Sequence, residues 1–207
     1  VLLLDEPLAA LEASRKAEIL PYLERLRDEA IVPVFYVSHA VDEVLRLADR
    51  VVLLREGRVA GSGSVFDFAA GDIGDLLPAT GAVIDTRVES HREDGLSMLS
   101  FSGGVLAVPR MAAAQGSGLR VRIRAEDILL AREEPHAISA NNVLAAQISA
   151  FRPSGAEQVD VHLACGSTRL VARITRASVA RLELRVGDAV FAVVKSVTLD
   201  PRALRTG

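Results

Sequence analysis

The 207-residue chain holds a single cysteine, Cys165. One thiol excludes an intramolecular disulfide and any Cys-rich metal site, and it points to a reducing compartment. Its setting, "HLACGST", reads as a strand running into a turn rather than as an activated nucleophile. Long hydrophobic runs are also scarce. The longest, such as Ala189 to Val194, fall far short of the roughly 20 residues that span a bilayer. The first residues carry no secretory signal pattern. Aromatics make up only 4% of the chain and do not interleave with a basic stripe, so there is no nucleic-acid footprint. No G-x-x-x-x-G-K-[ST] phosphate loop occurs in these residues.

What is present suits a globular protein of one large or two small domains: half the residues are apolar and a quarter charged. The net charge of −3 is spread unevenly. Residues 1–81 carry 8 basic and 14 acidic side chains, 82–138 carry 7 and 8, and 139–207 carry 9 and 5. The basic excess at the back would suit a small anion.

Residues 1–70 alternate strand and helix. Val1 to Leu4 and "VPVFYV" lack polar alternation and read as strands buried on both faces, as in a parallel sheet. Ligands of such sheets gather beyond the carboxyl ends of the strands, which is where Asp5 and Glu6 fall. A carboxylate pair there can hold a metal and orient a water; an ordinary strand exit uses the same residues. Ile19, Leu20, Leu23 and Leu26 predict a helix with Ser14 as its N-cap and Pro21 inside it. A short helix follows in "AVDEVLRLAD", then a strand in "RVVLL", a tight turn at Glu56-Gly57, and a last helix in "SVFDFAA". Together these read as half of a parallel-sheet domain.

A loop-rich linker is expected at 71–81. From Ala82 onward, short alternating segments broken by Gly-rich turns predict a β-barrel or sandwich. "GLRVRIRAEDILL" lines up with "GDAVFAVVKSVTL" at an offset of 69, which places Glu126 opposite Lys195 and suggests two related modules, about 82–135 and 138–200.

"VLLLDEPLAALE" together with "YVSHAVDEVLRLADRVVLLREGRV" resembles the second half of an ABC-transporter ATPase, over residues 1 to about 62. The resemblance implies an α/β ATPase part, a parallel sheet with helices, with ATP and Mg²⁺ as its cofactors in the intact protein. Asp5 would hold Mg²⁺ through water, Glu6 would polarise the attacking water, and His39 would sense the γ-phosphate. Glu12 stands where the family's D-loop ends in Asp, and so would face a partner ATPase. The phosphate loop and the Gly-rich signature are missing, so the chain reads as a fragment that does not hydrolyse ATP by itself.

"ISANNVLAAQI" and "LVARITRASVARLELRVGDAVFAVVKSVTL" resemble the molybdate-binding Mop module of the TOBE class. That implies an all-β, OB-like barrel taking molybdate or tungstate through Ser139, Ala140, Asn141, Thr175, Ser178, Lys195 and Ser196. Hydroxyls, backbone N–H groups and one Lys are the donors a tetrahedral dianion needs, although "TRAS" is also an ordinary helix cap. Asn141 stands where that family usually has Arg. In the family such sites lie between subunits. The expected assembly is a homodimer working with membrane permease subunits, peripheral on the cytoplasmic face of the inner membrane and without nucleic acid. Other TOBE-bearing importers, for sulfate, polyamine, sugar or iron, are the alternative, as is a stand-alone oxyanion-binding or dimerisation module.

Overall fold

The computed structural model describes residues 1–29, 32–73, 79–195 and 197–199. Strand β1 (Leu2–Asp5) pairs in parallel with β2 (Val34–Val37), Asp5 opposite Val37. Parallel neighbours need a crossover, and helix α1 (Ala13–Glu29) supplies it. The helix runs on through Pro21. Lys16 N–H donates to the Glu12 carbonyl at 2.9 Å, so Ser14 lies within the first turn and is not the cap. Of the expected apolar stripe, Leu20 is buried with Leu8 and Leu47, whereas Ile19 and Leu26 are exposed.

Neither strand is buried on both faces. Leu3 is 73% exposed and Phe35 61%. The sheet has two strands, and the cluster of Leu8, Leu20 and Leu47 covers one side of it, so burial alternates where a larger sheet would enclose both faces. Helix α2 (Val41–Leu47) leads to a hairpin of β3 (Arg50–Arg55) and β4 (Arg58–Ser64). Strand β3 pairs only with β4 and does not extend the parallel sheet. Glu56 and Gly57, at φ 51° and 73°, make the two-residue turn whose twist matches the strands. Helix α3 (Val65–Ala69) starts with a capping box between Ser64 and Asp67. It buries Val65 and Phe68 against Leu45, Val51 and Val83.

The rest is β. Strands β5 (Gly81–His91), β6 (Leu96–Phe101), β7 (Gly104–Pro109), β8 (Gly118–Arg124) and β9 (Ile128–Ala131) come first. Strands β10 (Asn142–Ser154), β11 (Gln158–Cys165) and β12 (Thr168–Thr175) follow, then helix α4 (Arg176–Arg181), β13 (Ala189–Val194) and β14 (Thr198–Leu199). Two five-stranded sheets result, ordered β14-β8-β5-β6-β7 and β9-β13-β10-β11-β12. The pairing pattern is the same in both, and their outermost short strands are exchanged: β9 joins the later sheet and β14 the earlier one. Long β5 and β10 each carry one register shift, at Val88/Ser90 and Ile148/Ala150, which bends them.

Val121 pairs with Leu199 as Ala192 pairs with Leu130. The offset of 69 therefore holds between β9 and β14 but becomes 71 between β8 and β13, and Glu126 and Lys195 lie in the turns where the two offsets meet. A single cluster, from Ala82 to Val194, fills the space between the sheets. The tips of the β6–β7 and β11–β12 hairpins interlock there. A Cβ on Gly103 would come 2.5 Å from the Cys165 carbonyl oxygen, so only glycine fits. Of the expected linker, residues 74–78 lie outside the described residues.

Candidate functional site

Parallel pairing brings the carboxyl ends of β1 and β2 side by side, and Glu6 N–H donates to the Val37 carbonyl at 2.9 Å. Glu6 follows at φ 45°, a left-handed conformation that non-glycine residues rarely adopt and that concentrates at functional sites. Its Oε1 accepts the His39 backbone N–H at 3.1 Å and lies 2.7 Å from His39 Nδ1. The ring is 81% exposed and the carboxylate 34%, so the pair faces solvent with room for a ligand. Asp5 is exposed beside it. Glu12 is exposed just before α1.

The segment that carries His39 is tied to a buried carboxylate, Glu43, that the sequence does not single out. Glu43 Oε1 accepts from Lys16 Nζ at 2.8 Å, while Oε2 accepts from Tyr36 OH at 2.8 Å and Ser38 Oγ at 2.9 Å. Burial works against its charge, but those three donors outweigh it and hold Glu43 below the usual carboxylate range. Burial and the same hydrogen bond push the Tyr36 phenol well above its ordinary value. In sequence, an acidic residue in a helix's first turn is an ordinary partner of the helix dipole. Only the packing shows that it organises the Tyr36–Ala40 segment.

No group of three or more His, Cys, Asp or Glu side chains capable of holding a metal exists among the described residues. Mg²⁺ commonly takes one or two carboxylates and completes its shell with water and phosphate oxygens. An exposed Asp5 at a strand end therefore fits that ion as a partial site.

The expected oxyanion residues fall into two groups. Thr175 caps α4, accepting from Ser178 N–H at 3.1 Å with the two hydroxyls 2.9 Å apart, which is the capping role. Ser139 and Asn141 are exposed and Ala140 half-buried, just before β10. Lys195 is exposed just after β13, and its N–H donates to the Asp127 carbonyl at 2.8 Å. Ser196 lies outside the described residues. Asn142 pairs with Val194, whereas Thr175 pairs with Gln158, itself opposite Ser154. Asn141 and Lys195 therefore flank one end of β10, and Thr175 and Ser178 lie towards the other, beyond the bend at Ile148/Ala150. Among the described residues, Thr175 and Ser178 bond to each other and Lys195 N–H to the Asp127 carbonyl, with no hydrogen bond between the two groups. Cys165 is fully buried, and burial pushes its thiol up, which fits the inert reading of its sequence.

The TOBE domain family matches residues 138–200. The molybdenum import ATP-binding protein ModC of Mesorhizobium japonicum is 48% identical over 206 residues, covering 97% of this chain and 55% of the relative. ModC of Paramagnetospirillum magneticum is 45% identical, covering 96% and 56%. Among solved structures, the cytoplasmic molybdate-binding protein ModG, in a form with molybdate bound, covers 56% of this chain and 94% of its own at 22% identity and a TM-score of 0.48. A structural likeness of that size decides neither fold nor ligand. Among the described residues no helix is long and apolar enough to cross a membrane. The chain is thus similar to the molybdenum import ATP-binding proteins, about half of whose length it spans, and its residues 138–200 match the TOBE domain family.

Proposed function

We propose that the chain is part of the energy-coupling subunit of an ATP-driven molybdate or tungstate importer, with a C-terminal oxyanion-responsive domain. The observation that carries this is the Glu6–His39 contact across the carboxyl ends of β1 and β2. Glu6 would accept a proton from an attacking water, and His39 would report on a phosphate that competes for its ring. Asp5 would help hold Mg²⁺, which supplies charge neutralisation on the phosphates when bound. Glu12 would face a partner ATPase.

In the β domain, Ser139, Ala140, Asn141, Lys195 and Ser196 would form one half-site and Thr175 with Ser178 the other. Two chains together would complete an oxyanion pocket. That reading also takes 82–135 and 138–200 as related modules joined to the 1–70 part through 71–81. The assembly would be a homodimer with membrane permease subunits at the cytoplasmic face.

Two measurements test it. In the full-length, assembled importer, Glu6→Gln should lower ATP turnover by about 10²-fold or more, the usual contribution of a positioned base, while residues 1–207 alone should show no turnover above that variant. Unchanged turnover in the full-length variant would overturn the motor assignment. For the cargo, titration calorimetry with molybdate against sulfate on residues 1–207, paired with light scattering, should show molybdate-selective binding that drives association. Equal heats for both anions would overturn it.

A further inference from the structure

The β domain grips the segment bearing His39 through two arginines of one strand. Arg122 Nη1 donates to Asp42 Oδ1 at 2.5 Å, in the first turn of α2. Arg120 Nη1 donates to the carbonyl of Ala48, which closes the same helix, at 3.0 Å, and Nη2 to Asp49 Oδ1 at 3.2 Å. Residues two apart on a strand share a face, so β8 holds both ends of a seven-residue helix at once. Arg120 is fixed in turn by Asp85 of β5, at 3.1 Å, and by the Phe66 ring, 5.5 Å from its guanidinium. Both arginines are half-buried, at 20% and 24% exposure, while their carboxylate partners stand in solvent.

Helix α2 begins one residue beyond His39–Ala40. Glu43 and Val44 N–H donate to the Ala40 carbonyl at 3.0 and 3.2 Å, and the Glu43 carboxylate ties down Tyr36 and Ser38. Wherever α2 sits, the His39 backbone follows, and with it the contact to Glu6. On its other side β8 pairs with β14, Arg122 opposite Thr198, and β14 starts three residues after Lys195. Arg122 Nε is buried without a hydrogen-bond partner, so the guanidinium keeps a donor for a second arrangement.

We propose that Arg120 and Arg122 are positioning residues that set α2, and through it the Glu6–His39 contact, according to how β14 pairs with β8. The inference rests on the reading of Glu6–His39 as the nucleotide-responsive pair and of the Lys195 turn as oxyanion-facing.

The test uses residues 1–207, with the His39 ring signal assigned through His39→Gln and amide exchange followed by NMR. Arg122→Ala removes the contact from the β side. Asp42→Asn removes it at a carboxylate that is 83% exposed, where folding is not at risk. Both should speed exchange at Glu43 and Val44 about tenfold and shift the His39 signal, with β-domain core amides unchanged. The exchanged pair, Asp42→Arg with Arg122→Asp, should restore both readouts. Wild-type behaviour of α2 and His39 in both single variants would overturn the proposal. Molybdate separates the two readings. A His39 response in the wild type that Asp42→Asn abolishes supports the whole route, and one that survives in both variants overturns it. No response in the wild type, with the variant effects intact, removes oxyanion sensing and leaves the positioning role standing.

Discussion

Asn142 uses its whole side chain on structure. Its Oδ1 accepts the Ala107 N–H at 2.6 Å and its Nδ2 donates to the Ala107 carbonyl at 2.9 Å. A buried amide thus stands in for a missing strand between β7 and β10, at the seam of the two sheets. Asn142→Leu would leave a backbone donor and acceptor unpaired in the interior, at about 1–3 kcal/mol each, so a loss of about 2–6 kcal/mol is expected. Asn141→Leu, next door on the surface, should stay within about 0.5 kcal/mol. Urea midpoints of the two variants check this, and equal losses would contradict the seam role. The pair "NN" stood out in the sequence, but which asparagine turns inward depends on strand phase at the barrel's edge. Periodicity does not extend into the loop before β10 to set that phase.

Among the elements, α2 carries the clearest pH signature. Glu43 is held below its ordinary value in the folded chain, so its contribution to stability is complete above the unfolded carboxylate range. That contribution is lost as pH falls through the lower folded value. Glu43→Gln should lower stability at neutral pH and flatten the decline of Tm with acid below about pH 4.5, the ordinary glutamate value. An acid limb as steep as wild type would place the titration elsewhere.

Element identity was largely legible: α2, the Glu56-Gly57 hairpin and the capped α3 follow from periodicity and turn chemistry. Burial of β1 and β2 was not, because an apolar run states only that a strand can be enclosed. Enclosure depends on how many layers meet it, and here a two-stranded sheet is covered on one face. The Ser14 cap failed for a related reason. Glu12 already accepts the first helical N–H with its carbonyl, a backbone role open to any residue.

At the scale of the molecule, the charge gradient along the chain becomes a contact. Arg169 binds Asp67 and, at 2.6 Å, Asp72; Arg152 reaches Asp72 at 2.9 Å; Arg173 reaches the Ala79 carbonyl at 2.6 Å. Part of the basic excess at the back is therefore engaged by the acidic front rather than left for an anion. These arginines differ in weight. Arg173 also pairs with Asp160, whose side chain is 3% exposed, so Arg173→Met strands a buried charge and should cost about 3–5 kcal/mol. Arg169 is 52% exposed, and Arg169→Met should cost under about 1 kcal/mol. Chemical denaturation of both separates the two cases; a larger loss from Arg169→Met would invert this ranking.

Local order in the chain determined the strand-to-carboxylate exit at Asp5 and Glu6, the histidine after the second strand, the turn positions and the two β blocks, because each depends on residues within a few positions. Tertiary structure alone decided that Glu6 meets His39, that Glu43 is buried against Lys16, Tyr36 and Ser38, that β9 and β14 change places, and that Thr175 and Lys195 border different ends of β10. The Glu6–His39 contact and the strand exchange are set by pairing between segments more than 30 residues apart, where geometry and burial, not neighbouring side chains, choose the partner.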